Sequence, residues 1–348
     1  MLRFKKREYY SYYWEYIVLI ISLFVSLIIG GIIFLINGIN PLGAFSAIIT
    51  SVFGSFYGFT ETMLFSIPII FCAFASALPA NMRLWNIGGE GQFVLGAFGA
   101  TLIALNLPTL PFIFLIPLIF LSGIFFAMIF GLIAGLLKAI LNVNEILVTL
   151  MLNYIAILWV MFLVYGPWKG KDNFPYTRYF PESIFLPTIF NSRLHIGIFI
   201  AIIIAIILYL MVKESIWGYE IRVVGESQKS ARYAGISVKR NIILVMMIAG
   251  GLAGLGGTIE VMGLQHRLQP SISQGYGFTG IIVATLAKNN FLYILLASFL
   301  ISGLLIGGQE MQMFYKTPAS IVKMFQGIIL LCVLGGNIFI ENRLIYEK

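Results

Sequence analysis

The sequence predicts an all-α, polytopic membrane protein of about ten transmembrane helices, with an internal repeat and interrupted helices. Three observations carry this. Hydrophobic residues make up 60% of the 348 and charged residues 10%, against about 45–50% and about 25% in soluble domains. Apolar runs near the ~20 residues that a bilayer core of about 30 Å requires recur along the chain. Two runs are broken by glycine-rich segments, Asn86–Gln92 and Gly275–Gly280. The composition excludes an ordinary soluble enzyme, a disordered chain and a fibre. With only Cys72 and Cys332, far apart and without CxxC spacing, it also excludes a disulfide scaffold.

In chain order, residues 1–15 form an N-terminal tail with Arg3, Lys5, Lys6 and Arg7. A transmembrane domain follows over 16–340, with spans at 16–36, 62–80, 86–106, 111–137, 145–165, 194–212, 242–262, 277–288, 291–308 and 319–340. The first span is too long for a signal-peptide core and no clean cleavage site follows it. Residues 37–61, moderately apolar and without Lys or Arg, read as interfacial or partly re-entrant. Span 277–288 is too short to cross as one regular helix. Loop 166–193, with Trp168, Tyr176, Tyr179 and Pro181, suits a structured cap at headgroup level. Loop 213–241 is the most hydrophilic stretch, and 341–348 is a C-terminal tail.

Ten crossings from an internal N-terminus put both tails and loop 213–241 in the cytoplasm and loop 166–193 outside. This places fifteen of the 22 Lys and Arg inside and seven outside, the sense of the positive-inside rule. The net charge of +8 is thus read as membrane orientation, and no nucleic-acid partner is expected. Asp172, in a polar loop, is the only aspartate, which excludes membrane enzymes built on paired aspartates.

Asn86-Ile87-Gly88-Gly89-Glu90-Gly91-Gln92 carries polar groups at membrane depth, where they are costly unless paired. It reads as a broken helix facing a polar cavity. Gly275-Tyr276-Gly277 opens the eighth span as the Asn86 segment opens the third. Paired interruptions at equivalent places in two halves point to a transport path. In the internal loop, Ser227 is an N-cap, 228–234 a two-turn helix and Gly235 its stop. Ala231 and Ala234, three apart, are expected to share a small face ringed by Glu226, Lys229, Arg232 and Tyr233. That helix reads as a docking element or as a solvated linker. Gly250 and Gly254, with Ala249, Ala253 and Gly257, form small-residue rows for close helix packing. Glu61, Glu145, Glu260, Glu310 and Lys323 read as interfacial or as helix–helix partners. His195 and His266 lack a second ligand for a metal.

These residues resemble a known family. Asn86 to Gln92, Asn144-Glu145-Ile146 through Met151-Leu152-Asn153-Tyr154, and Gly225-Glu226 through Ala231-Arg232-Tyr233-Ala234-Gly235-Ile236 stand in order in a chain that resembles the membrane permease of ABC importers of the branched-chain amino acid, ribose and nucleoside group. The motifs look like its nucleoside, or simple-sugar, branch. The resemblance implies a passive pore, not an enzyme. Its partners would be a separate ABC ATPase subunit, an extracytoplasmic solute-binding lipoprotein and a second permease subunit, homo- or heterodimeric, in the lipid bilayer. No cofactor is expected, since ATP would be used by the ATPase and no GxxxxGK[ST] motif is present. The substrate path would be lined by Asn86, Glu90, Gln92, Asn153 and Tyr276, and the ATPase coupled through Gly225, Glu226, Ala231, Arg232, Tyr233, Ala234 and Gly235. The rival is an ion-coupled secondary transporter with Glu90 or Glu145 as proton carrier. A membrane-embedded enzyme lacks its motifs: no Asp pair, no HExxH and no clustered His.

Overall fold

The computed structural model describes residues 2–6, 12–170, 174–316 and 318–346. Arg7, Asp172 and Lys348 lie outside these residues, as does the side chain of Lys323. Among the described residues thirteen α-helices follow one another: α1 (Tyr12–Ile36), α2 (Pro41–Phe53), α3 (Phe56–Ala80), α4 (Gly89–Asn106), α5 (Phe112–Leu141), α6 (Glu145–Tyr165), α7 (Gly197–Glu214), α8 (Ile216–Glu226), α9 (Gln228–Tyr233), α10 (Val238–Glu260), α11 (Tyr276–Leu286), α12 (Phe291–Tyr315) and α13 (Ala319–Glu341). Among the described residues, seven helical spans are long and apolar enough to cross a membrane: those of α1, α3, α5, α6, α7, α10 and α12. α11, with 11 residues, rises only about 17 Å. The expected all-α chain also has a strand pair. β1 (Leu2–Lys6) runs antiparallel to β2 (Asn342–Tyr346), so the two tails pair with each other. Five residues with no helical apolar stripe can satisfy their backbone groups by pairing with each other.

The chain divides into two compact units, Met1–Thr62 with Leu300–Lys348, and Met63–Phe299. In the first, Asn40 caps α2 by accepting from Leu42 N at 3.0 Å, with Pro41 at the first helical position. Phe34, Ile39, Ala44, Met311 and Ile321 form its core, and Phe34 meets Phe45 edge-on at 5.6 Å.

In the second unit α10 is the axle. Its small-residue rows lie against α4 and α5. A Cβ on Gly250 would stand 2.6 Å from Ala127 O, and one on Gly256 2.7 Å from Phe71 Cβ. Thr258 Oγ1 donates to Gly96 O at 3.3 Å, tying α10 to α4. The outer faces of α6 and α7 expose Leu147, Tyr154, Leu158, Phe162, Ile203 and Ile207, an apolar surface suited to lipid. Glu145 pairs with Lys138 at 2.9 Å across the α5–α6 turn, which is the helix–helix partnering expected for it.

The cap and the polar loop lie at opposite ends of α10. Residues 174–193 fold over its C-terminal end: Leu186 N donates to Met262 O, Phe180 N to His266 O and Thr177 N to Leu268 O. Trp168 stacks on Phe98 at 5.4 Å. At the N-terminal end, Asn241 accepts from Trp217 Nε1 and donates to Glu220 Oε2, both at 2.8 Å.

His195 is buried under the cap, its Nδ1 accepting from Gly197 N at 3.1 Å. Burial, and secondarily the neighbouring His266, lowers its pKa from 6.5 to about 4. An unfolded chain takes up this proton near 6.5 and the folded one does not. Stability is therefore full above 6.5 and falls as pH drops toward 4, by about 3 kcal/mol in all. Thermal unfolding in detergent should show a lower Tm at pH 5 than at pH 7. His195→Asn should flatten that slope, and an unchanged slope would refute the assignment.

Candidate functional site

The Asn86 segment is built by a chain reversal. Pro79 sits in the last turn of α3, and its carbonyl accepts from Met82 N at 2.8 Å and Leu84 N at 3.1 Å. The chain then climbs back beside α3, so that Asn86 Nδ2 donates to Ala75 O at 3.1 Å. Asn86 therefore lies about a turn and a half deeper than the end of α3, and Gly89, beside Cys72 O, starts α4 about two turns deeper. The interruption that opens the third predicted span is thus the start of α4. Gly88 adopts the N-cap position, and Gln92 N donates to its carbonyl at 2.9 Å.

Three predicted path residues hold this start in place. Asn86 Oδ1 accepts from Gly88 N at 3.0 Å, and Asn86 Nδ2 donates to Gln92 Oε1 at 2.9 Å. Asn153, on α6, donates to Ile87 O and accepts from Gly91 N, each at 2.8 Å. Thr149, which the sequence did not single out, accepts from Ile87 N at 3.3 Å. All three predicted side chains are buried. Their polar atoms thus replace the water that the bilayer withholds from a non-helical backbone. Gly91 allows the approach, since a Cβ there would lie 2.7 Å from Asn153 Cα.

Glu90 and Tyr276 sit where the two interrupted segments meet. Glu90, in the first turn of α4, accepts through Oε2 from Gly277 N, in the first turn of α11, at 2.7 Å. Two helix N-termini, each carrying partial positive charge, thus converge on one carboxylate. Tyr276 is buried edge-on against Phe93, 5.7 Å between ring centres. Cys72, Glu90 and Glu260 all lie within electrostatic range of Tyr276, and Cys72 also of Glu90 and Glu260. Glu260 accepts from Gln265 Nε2 at 3.1 Å. Gly275 starts α11 from φ +93°, a left-handed backbone that favours glycine. A Cβ on Gly280 would stand 2.6 Å from Cys72 C, so α11 lies backbone to backbone on α3.

The polar loop is two helices, not one. Ser215 caps α8 through Gly218 N at 3.0 Å, and Gly218, Ile221 and Val224 bury one face of it. The Ser215 cap and this spacing of three are the sequence signals of α8. Ser227 caps α9 through Ser230 N at 3.2 Å, and Gly235 stops it at φ +77°. The shared Ala231–Ala234 face does not form. Ala231 is buried, whereas Ala234 is exposed at the C-cap, because α9 ends at Tyr233. Glu226, Arg232, Tyr233, Ala234 and Gly235 are exposed, Tyr233 at 94%. Gly225 faces inward instead: a Cβ would lie 2.5 Å from Asn81 O and 3.0 Å from Met82 Cα.

Apolar outer helix faces around a buried, hydrogen-bonded meeting of helix ends define a multi-pass membrane protein. A family model described as "Branched-chain amino acid transport system / permease component" matches residues 58–334, and the chain belongs to that family. Among its relatives is the nucleoside ABC transporter permease protein NupB of Lactococcus lactis, 34% identical over 303 residues, covering 84% of this chain and 83% of NupB. The guanosine ABC transporter permease protein NupP of Bacillus subtilis is 33% identical, covering 91% of this chain and 92% of NupP. The glucose ABC transporter permease protein TsgB13 of Haloferax volcanii is 29% identical, covering 93% and 88%.

Asn153→Ala should orphan a buried N–H and a buried C=O at once. At about 1–3 kcal/mol for each, the loss is about 2–6 kcal/mol, read as a fall in Tm in detergent. Thr149→Val removes one acceptor and should cost less. A parent-like Tm for Asn153→Ala would refute the clamp.

Proposed function

We propose that this chain is the permease subunit of an ATP-binding-cassette importer for nucleosides or a related simple sugar. The observation that carries the reading is the end-on meeting of α4 and α11 at Glu90. Helix ends turned inward on one carboxylate make a polar point inside an apolar bundle, where a hydroxylated solute can exchange hydrogen bonds. The names of NupB and NupP support nucleosides, and that of TsgB13 widens the class to sugars.

In this reading Asn86, Gln92 and Asn153 form the path wall by holding the loop, while Glu90 and Tyr276 stand at its constriction. The chain crosses ten times, with α3–α6 and α10–α13 contributing related halves, and both termini are cytoplasmic. Residues 16–340 are the permease domain, 213–241 its coupling loop and 166–193 its outer loop. Glu226, Arg232, Tyr233, Ala234 and Gly235 meet a separate ATPase. Gly225 and Ala231 shape that foot from inside. A solute-binding lipoprotein delivers cargo to the 166–193 side, and a second permease subunit completes the pore. ATP is used by the ATPase alone. Each partner must favour one of two conformations for the cavity to open alternately. The ion-coupled rival is weakened at Glu145, whose carboxylate is engaged by Lys138.

Vesicles holding the full complex should take up labelled nucleosides only with ATP. Tyr233→Ala and Arg232→Glu should each lower that uptake about tenfold or more, the effect of losing one anchor at an interface. Uptake by the chain alone on a salt or pH gradient would overturn the importer reading.

A further inference from the structure

A second polar site lies in the Met1–Thr62 and Leu300–Lys348 unit, and no predicted path residue belongs to it. α2 ends at Phe53 and α3 starts at Phe56, so the chain breaks at Gly54–Ser55. The depth of that break follows from α12. A Cβ on Gly303, the middle residue of α12, would lie 3.1 Å from Val52 Cγ2, and one on Gly307 2.8 Å from Ile48 Cα. The break thus falls beside the midpoint of a spanning helix. Non-helical backbone at such depth is tolerated where it lines a cavity. A cavity is there, of about 590 Å³, within the ~300–1,000 Å³ of small-molecule sites.

Its lining has two chemistries. Glu61, buried to 5% exposure, and Glu310 bring carboxylates, and Gln309 an amide. Ser51 and Thr50 donate back to their own helix, to Ile48 O and Ser46 O, which leaves their oxygens facing as acceptors. Tyr57 and Phe314, both exposed, bring aromatic surface. A sugar ring has hydroxyl donors around its rim and C–H bonds on its faces, and this lining offers a partner to each. We infer that this cavity binds the sugar ring, the part shared by nucleosides and simple sugars, at the α2–α3 break beside Gln309 and Glu310. The choice of a sugar ring rests on the importer reading above; the cavity itself does not.

The test is equilibrium dialysis on the purified full chain in nanodiscs, without ATPase or binding protein, using labelled uridine, ribose, glucose and dideoxyuridine. Uridine and at least one free sugar should bind saturably and compete with each other, and dideoxyuridine should bind about tenfold more weakly, the worth of about 1.4 kcal/mol. Gln309→Ala, Tyr57→Ala and Glu310→Gln should each weaken binding about tenfold; the first two are at exposed positions and remove no core packing. Equal binding of dideoxyuridine, unchanged binding in all three variants, or saturable uptake of sodium ions in place of solute would each overturn the proposal. A failure here with ATP-driven uptake intact would leave the importer reading standing. Binding here without ATP-driven uptake would sink that reading alone.

Discussion

The Met63–Phe299 unit depends on how a backbone that leaves the helix inside a bilayer finds partners. Between Ala80 and Gly89 the chain has no helical ladder, and water is excluded by the surrounding apolar helices. Asn86, Thr149 and Asn153 supply the missing donors and acceptors, Gln92 holds the Asn86 amide, and Glu90 serves the start of α11 in the same way. Unpaired, each such group would cost several kcal/mol in hydrocarbon. The interruption is therefore stable only because its own polar side chains fold back upon it. That makes its geometry specific, because an amide side chain satisfies two backbone groups in one arrangement only.

The glycines serve the same end by a different route. Helices cannot rely on the hydrophobic effect to associate within lipid, so contact area must come from close approach. α10 meets α4, α5 and α3 through Gly250, Gly254, Gly256 and Gly257, and α11 meets α3 through Gly280. Close approach also thins the layer of side chains between the buried polar segments, which allows Gly277 N to reach Glu90 at 2.7 Å. Packing and polar pairing are thus one design: a Cβ at Gly277 or Gly91 would push apart the groups whose hydrogen bonds justify the break.

Much of this was legible in the sequence. Every predicted span contains a helix, and composition alone named the bilayer as solvent. The two glycine-rich interruptions were singled out, and they do meet. The caps at Ser227 and Gly235 could be read because their chemistry is local. What could not be read depends on distance in sequence. Thr149 is an ordinary residue on an apolar helix until Ile87, 62 residues away, needs an acceptor. Ala231 and Ala234 are equivalent by spacing, and only the end of α9 at Tyr233 leaves one buried inside the helix and the other exposed at its C-cap. Glu61 and Glu310 looked interfacial because each was judged within its own span; their common cavity exists only once α12 lies beside α2. The strand pair between the tails escaped for the same reason.

The placement of Gly225 draws these features together. α8 ends against Asn81 and Met82 with no side chain between the backbones. Asn81 is itself tied to α3 by Nδ2 donating to Ala77 O at 2.8 Å, and four residues after Met82 the chain reaches Asn86. A displacement of α8 is therefore passed to the Asn86 segment through backbone, with no flexible side chain to absorb it. Trp217 and Glu220 hold the same helix to α10 through Asn241. If α8 and α9 are the foot on which an ATPase acts, the force it applies has two rigid routes inward. One leads to the axle of the unit and the other to the loop that opens into α4 and Glu90. A foot joined to both can shift the loop only by moving against the axle, which is the relative motion an alternating gate requires.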